Sequence, residues 1–150
     1  LGSPFRHIGL EVDQAWFDAY QKSRANNVRL AICLPDNDAI IGVVYLTQID
    51  WLNRSAELAI QLGVASQRGA GIGEQAVRAA LAHAFDDLNL HRIHLTVLAT
   101  NARAVALYKK VGFAVEGCLR QALFKNGSYV DVLAMALLND NHHANTEPTP

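Results

Sequence analysis

Hydrophobic and polar positions change their spacing along the chain, from a helical period to strand-like runs and back. Apolar residues recur at three- and four-residue steps over about 12–25, over about 76–88 and in the segment after Asn101, which predicts three helices. Short apolar runs over about 28–34, 39–49, 55–64, 93–97, 114–124 and 129–137 predict strands. The chain therefore predicts an α/β fold built on one sheet.

Turn-forming residues indicate how the strands connect. Pro35-Asp36-Asn37-Asp38 separates the first two strands and predicts a hairpin, and Asn126-Gly127 is a strong two-residue hairpin signal between the last two. A helix separates the third strand from the fourth, and this order predicts a parallel pair with a right-handed crossover. We therefore expect a mixed, mostly antiparallel sheet.

The third predicted strand has two different faces. Leu58, Ile60 and Leu62 share one face, whereas Glu57 lies on the opposite face with Ala59 and Gln61. A carboxylate in mid-strand needs a partner or a water-filled cleft. Glu57 is therefore a candidate general base, with a salt bridge or a plain surface position as the alternative.

A glycine-rich loop precedes the longest helical pattern. Gly69, Gly71 and Gly73 allow tight turns and close approach of a ligand, and Arg68 adds a positive charge. Because the loop opens a helix, its free N–H groups and the positive helix end predict a pyrophosphate site. On the glycines alone, a closely packed turn explains the loop equally well.

Two common phosphate loops do not match this segment. A P-loop ends in Gly-Lys-Ser/Thr, whereas here Gly73 is followed by Glu74 and Gln75. A dinucleotide fingerprint requires glycine or alanine in place of Glu74 and an acidic residue at the end of the next strand. Asp86 and Asp87 lie instead inside the predicted helix, so both interpretations fail.

Composition narrows the class of protein. The 150 residues correspond to one domain, expected over 1–138, with a polar flexible tail over 139–150. The formal net charge of −1 disfavours nucleic-acid binding through bulk positive charge, and two cysteines are too few for a disulfide scaffold. Without a membrane-length apolar run or a signal segment, we expect a cytoplasmic protein that is not bound to a membrane.

Two segments together resemble one enzyme family. Asn101–Phe113 resembles the second signature of the GNAT family, the Gcn5-related N-acetyltransferases, and Arg68-x-x-Gly71-x-Gly73 resembles the coenzyme A loop of that family. The motifs at 91–93 and 126–131 resemble the branch of ribosomal-protein alanine N-acetyltransferases and their polyamine and amino-sugar relatives. The resemblance covers about residues 28–138.

The resemblance implies a fold and a donor. The central parallel strands are expected to splay apart, with helices on both faces of the sheet, and acetyl-CoA is expected to bind in the gap as a cosubstrate, without a metal. A backbone N–H near Leu62 or Gly63 would polarise the thioester carbonyl. The expected coenzyme-binding residues are Leu62, Gly63, Val64, Arg68, Gly69, Ala70, Gly71, Ile72, Gly73, Asn101 and Tyr108.

The same resemblance suggests how protons move during acetyl transfer to a primary amine. Tyr108 occupies the position of the family's acid tyrosine and would protonate the leaving thiolate; its alternative is a core aromatic residue. Glu57 is the expected base, directly or through a water, and Asp131 is the second candidate, with stabilisation of the last hairpin as its alternative. Trp51, Glu57 and Asp131 are expected to contact the acceptor, which could be a protein N-terminus, a polyamine or an amino sugar.

Other polar residues are expected to do less. His91 and His94 point to opposite faces of their strand and favour structural roles, and the tail histidines are expected to be solvated. Cys33 and Cys118 lie in apolar strands, where free cysteine behaves as a small hydrophobic residue.

Two questions stay open at the level of sequence. A non-catalytic acyl-CoA sensor on the same fold is the alternative function, although it would need neither Tyr108 nor Glu57. The last hairpin could pair two copies of the chain into a homodimer. The chain starts at Leu1-Gly2-Ser3-Pro4 without methionine, and we expect the family's first strand and helix to be missing or shortened.

Overall fold

The computed structural model describes residues 10–63 and 71–146. The helices and strands follow the predicted order, with small shifts at their ends. The elements are α1 (Leu10–Lys22), β1 (Val28–Cys33), β2 (Ile40–Asp50), β3 (Ser55–Leu62), α2 (Ile72–Ala82), β4 (Arg92–Leu98), α3 (Ala102–Val111), β5 (Ala114–Lys125), β6 (Ser128–Leu138) and α4 (Asn139–Thr146). A 3₁₀ turn over Arg24–Asn26 follows α1, and a π-helical turn over His83–Asp87 extends α2.

The six described strands form one mixed sheet in the order β1-β2-β3-β4-β6-β5. All neighbours are antiparallel except β3 and β4, which are parallel as predicted. Between these two strands only Ser55–Glu57 and Arg92–His94 are paired among the described residues. Beyond Glu57 and His94 the two strands separate, so the expected splay is present.

Helices α2 and α3 pack side by side on one face of the sheet. Alternate strand residues point toward them, for example Leu58 on β3 and Ile93 on β4, and both are almost fully buried. The apolar stripe of α2, which includes Val77 and Leu81, packs against these strand residues. This contact forms the main hydrophobic core.

The opposite face of the central strands is polar. Strand alternation and the pairing register place these side chains together on the surface that we call the polar face. Its members are Tyr45, Thr47, Glu57, Gln61, Arg92 and His94.

Helix α1 reaches the sheet at this face near β1. The guanidinium of Arg29 lies 3.6 Å from the Trp16 ring centre and 4.9 Å from the Tyr45 ring centre. Cation–π contacts of this kind favour the docking of α1 beside the polar face.

Local signals explain why α3 and the last hairpin form where predicted. The Asn101 side chain accepts a hydrogen bond from Ala104 N and caps α3, and Gly112 ends the helix at φ 118°. In the hairpin turn, Asn126 and Gly127 both have positive φ, at 51° and 79°. A two-residue turn of this type requires such angles.

The C-terminal segment differs from the expected frayed tail. It forms α4, whose first residue, Asn139, donates its backbone N–H to His91 O at 2.8 Å. His142 is buried on the Phe85 ring, with ring centres 4.9 Å apart, so the expectation of a solvated His142 is wrong. Long-range packing therefore orders a segment whose own composition is polar.

Candidate active site

A cleft of about 570 Å³ opens where β3 and β4 separate. The end of β3 forms one wall, and the start of α2 and the exposed side of α3 form the others. The residues that line it are Ile60, Gln61, Leu62, Gly71, Gly73, Glu74, Asn101, Arg103, Ala104, Ala106, Leu107 and Lys110. Four residues of the expected coenzyme-binding set, Leu62, Gly71, Gly73 and Asn101, are thus brought together.

The end of β3 offers its backbone to this cleft. Gly63 donates its N–H to Ile41 O at 2.7 Å, on the side of β2. Gly63 N–H is therefore not directed at a thioester carbonyl, contrary to one of the two expected options. Because successive N–H groups of a strand point in opposite directions, the N–H of Leu62 is directed to the cleft side.

The glycine loop is described only at its helical end. Gly71 is the N-cap of α2 with φ 73°, a left-handed conformation that favours glycine, and nothing lies within 4 Å of a Cβ built there. Gly73 also lines the cleft, whereas Ile72 packs against the core. Val64, Arg68, Gly69 and Ala70, which were also expected to bind the coenzyme, lie outside the described residues.

Two basic residues surround a carboxylate at this helix start, which sequence reasoning missed. Glu74 pairs with Lys110 of α3 at 2.7 Å and with Arg78 at 3.0 Å. The hydrogen bond from Lys110, followed by that from Arg78, lowers the pKa of Glu74. The Arg78 contact was visible as an i, i+4 spacing, but the Lys110 contact depends on how α2 and α3 pack.

Tyr108 lies on the buried side of α3, behind the cleft wall. It is 7% exposed and meets the Phe113 ring edge-on at 5.7 Å between ring centres. Burial raises the pKa of the Tyr108 hydroxyl above its ordinary value. The phenol therefore keeps its proton at neutral pH, which a proton donor requires.

Glu57 lies on the polar face, in the last paired position before the splay. Its carboxylate accepts a hydrogen bond from Gln48 Nε2 at 3.3 Å. Gln48 has φ 51° in an irregular part of β2, where the pairing with β3 shifts register. Among the described residues no cation lies within ion-pair distance of Glu57, so the salt-bridge alternative finds no support.

Asp131 is held by the last hairpin. Its Oδ1 accepts the backbone N–H of Gln121 at 2.8 Å, at a bulge where Gln121 has φ 53°. This contact supports the hairpin-stabilising alternative for Asp131 rather than a base.

The remaining predicted positions lie away from the cleft. Trp51 is half exposed in the β2–β3 turn, and its indole N–H donates to Ala25 O at 2.9 Å. Cys33 and Cys118 lie in strands as expected, and both are free and exposed. Across residues 10–63 and 71–146, no cluster of three metal-ligating side chains is present, and no helix is long and apolar enough to span a membrane.

A family model for the acetyltransferase (GNAT) domain matches residues 5–114 of the chain. This match covers more than half of the sequence. The chain belongs to the GNAT family. The family and the fold class predicted from sequence are therefore confirmed, as is the assignment to acyltransferases that use acetyl-CoA.

Curated relatives of the chain differ in the acceptor that their names give. The chain is 36% identical over 126 residues to spermidine N(1)-acetyltransferase of Vibrio cholerae, covering 83% of this chain and 72% of that protein. It is 35% identical over 104 residues to the ribosomal-protein-serine acetyltransferase of Escherichia coli, covering 69% and 58%. The chain thus spans less than two thirds of the second relative.

Solved GNAT structures share this fold. The Vibrio cholerae spermidine N-acetyltransferase in complex with CoA and spermine has a TM-score of 0.85 at 30% identity, covering 95% of this chain and 81% of that one. A dodecameric structure of the same enzyme has a TM-score of 0.81 at 32% identity, covering 89% and 78%.

Proposed function

We propose that this GNAT domain transfers the acetyl group of acetyl-CoA to a primary amine of a polyamine, by direct attack of the amine in a ternary complex. The observation that carries the proposal is the separation of β3 from β4 beside a cleft that begins at the N-terminus of α2. A polyamine is favoured as the acceptor class because the Vibrio cholerae relative acts on spermidine.

The chain's own residues suit the donor. The edge of β3 past Glu57 can pair with the amide groups of the pantetheine arm as another strand would, and Leu62 lines the same cleft. The N-terminus of α2 offers N–H groups and a positive helix end to the pyrophosphate, beside Gly71 and Gly73. Bound acetyl-CoA would supply an activated thioester, and Asn101 lines the same cleft.

The proposed acid, Tyr108, and the carboxylate of Glu57 lie on opposite faces of the sheet. Tyr108 points from α3 into the core, whereas Glu57 lies on the polar face. Tyr108 can protonate the departing thiolate from one side while the amine loses its proton on the other.

The donor and the acceptor are tested in two steps. Thermal unfolding with acetyl-CoA at about 100 times its Kd should show a stabilisation of about 2.7 kcal/mol. Thiol release is then measured over spermidine, spermine, glucosamine and a peptide with a free N-terminal serine or alanine. Polyamines are expected to give the highest kcat/KM, and a preference for the peptide would contradict the acceptor class.

The same experiment separates the enzyme from the non-catalytic sensor. A sensor binds acetyl-CoA with the full stabilisation but releases no thiol with any amine. A chain that shows neither stabilisation nor turnover overturns the donor assignment as well.

The last hairpin supports a second proposal, that copies of the chain associate through it. Leu119, Phe124 and Tyr129 are 54%, 66% and 64% exposed, and the rings of Phe124 and Tyr129 meet at 5.1 Å between centres. β5 is also an edge strand, paired only with β6 among the described residues. Because a related enzyme is dodecameric, a second copy is the occupant that fits this apolar edge.

A further inference from the structure

We infer that His94 accepts the proton of the acceptor amine, while the neighbouring Glu57 holds that amine as an ammonium ion. This inference rests on the acetyl transfer proposed above. It gives His94 a role in the reaction in place of the structural role expected from the sequence.

The first argument is position. Glu57 and His94 are register partners in the last pair before the parallel strands separate. Neighbouring strands lie about 4.8 Å apart, and partners in one pair point to the same face. The two side chains are therefore side by side at the apex of the opening, on the face opposite Tyr108.

The second argument is the state of the two side chains. His94 is half-buried, and within the described part of the chain neither of its ring nitrogens has a hydrogen-bond partner. The Glu57 carboxylate has only the neutral Gln48 amide as a described hydrogen-bond partner. A histidine with a purely structural role commonly has a hydrogen-bond partner for at least one ring nitrogen. Because His94 has no such partner among the described residues, its ring nitrogens are available to a ligand.

The third argument is the charge balance on the polar face. Arg92 and Glu116 form a bidentate pair at 2.7 and 2.5 Å, so their charges offset each other. Hydrogen bonds from Arg92 lower the pKa of Glu116, and the charge of His94 adds a smaller effect in the same direction. The described charged groups that face His94 are thus Glu57, Arg92 and Glu116, with a net negative charge that favours a cationic amine.

The chemistry balances with these groups. The ammonium gives one proton to a ring nitrogen of His94, and the freed nitrogen forms the new C–N bond as the C–S bond breaks. Tyr108 gives its own proton to the departing thiolate. The second amine proton leaves the nitrogen as the amide forms, and it reprotonates Tyr108. The products are the N-acetylated amine, CoA thiol and one proton released from His94. Imidazole suits this step because it exchanges protons in the neutral pH range.

The test compares His94→Gln with His91→Gln, a matched change at an exposed histidine just before β4. At neutral pH, His94→Gln should lower kcat/KM for spermidine by about 10²-fold or more. The loss should shrink as the pH rises toward the ordinary amine pKa of about 10.4, because the amine then needs no base. His91→Gln should follow the wild type at every pH.

A merely structural role predicts a different result. It lowers activity by a constant factor over the whole pH range, and that outcome with intact acetyl-CoA binding overturns the inference. An unchanged kcat/KM at every pH in His94→Gln overturns it as well. If no amine is acetylated by the wild type, the proposed function itself fails.

A second measurement does not depend on the folding of His94→Gln. The imidazole signals of His94 are followed by NMR at one neutral pH as spermidine is added to the wild type and to Glu57→Gln, each with CoA bound. We expect the His94 signals to shift with spermidine in the wild type and to shift less in Glu57→Gln, while those of His91 stay constant. His94 signals that do not respond to spermidine in the wild type contradict the inference.

Discussion

Single residues on the two faces of the sheet have different access to water. Tyr108 is packed against Phe113 in the core, and burial raises the pKa of its hydroxyl. Glu57 lies on the polar face beside an amide and an imidazole. An acid that must keep its proton needs the first environment, and a carboxylate that holds a charged amine beside His94 needs the second.

Tyr108→Phe should lower kcat by about 10²- to 10⁴-fold, because the thiolate then leaves without its proton donor. The ring and its contact with Phe113 are retained, so the free energy of unfolding should change by less than about 1.5 kcal/mol. Steady-state kinetics and urea unfolding measure the two effects. Full kcat in this variant would contradict the assignment of the acid.

The same substitution has a signature at alkaline pH. Because burial raises the pKa of Tyr108 in the folded chain, its ionisation favours the unfolded chain. The wild type should therefore lose stability relative to Tyr108→Phe as the pH rises above about 10, and the two should run parallel below that value.

At the scale of elements, α3 is both a cleft wall and a capped helix. Asn101 accepts the N–H of Ala104 and also lines the cleft. Asn101→Ala should lower the free energy of unfolding by about 1 kcal/mol and weaken acetyl-CoA binding. Asn101→Asp keeps the cap and the stability, but its charge should weaken binding of the anionic donor. Equal affinity in the wild type and in Asn101→Asp would show that Asn101 is only a cap.

The pair between α2 and α3 sets the charge at the helix start. Lys110→Met leaves Glu74 with Arg78 alone, and the less compensated carboxylate should raise the Kd for acetyl-CoA by about two- to fivefold. Glu74→Gln in the same chain should restore the affinity, because it removes the repulsion. Calorimetry at low and high salt checks this, since screening should reduce the difference.

At the scale of the whole molecule, the exposed hairpin edge predicts self-association. Replacing Phe124 and Tyr129 by serine should give a smaller species in light scattering, with an unchanged helical content. Leu52, which is 91% exposed in the β2–β3 turn, provides a matched control, and Leu52→Ser should keep the wild-type mass. A wild type that is monomeric at micromolar concentration would refute the interface.

Much of this fold was predictable because its signals are local. The Asn101 cap, the end of α3 at Gly112 and the Asn126-Gly127 turn each depend on a few consecutive residues. Helix α4 was not predictable, since its own sequence is polar and its order comes from contacts with distant residues such as His91 and Phe85.

Some residues of the candidate site could be identified from local sequence signals, whereas others depend on long-range pairing. Tyr108 was identified from a contiguous motif, and Glu57 from strand alternation. The pairing of Glu57 with His94 depends on the register between two strands that a whole helix separates, and no local pattern encodes it. For the same reason, the contact of Asp131 with the bulge at Gln121 appears only in three dimensions.

The splay has a consequence for the exchange of backbone hydrogens. Past Glu57 and His94, the described residues of β3 and β4 do not continue the parallel pairing. Binding of acetyl-CoA should slow amide exchange within 58–61 while leaving the β1–β2 pairs unchanged, as mass spectrometry can measure. A ligand that binds only the folded chain stabilises it by an amount that grows with the logarithm of the ligand concentration. Scarcity of the acetyl donor would therefore lower the stability of the sheet as well as the rate of turnover.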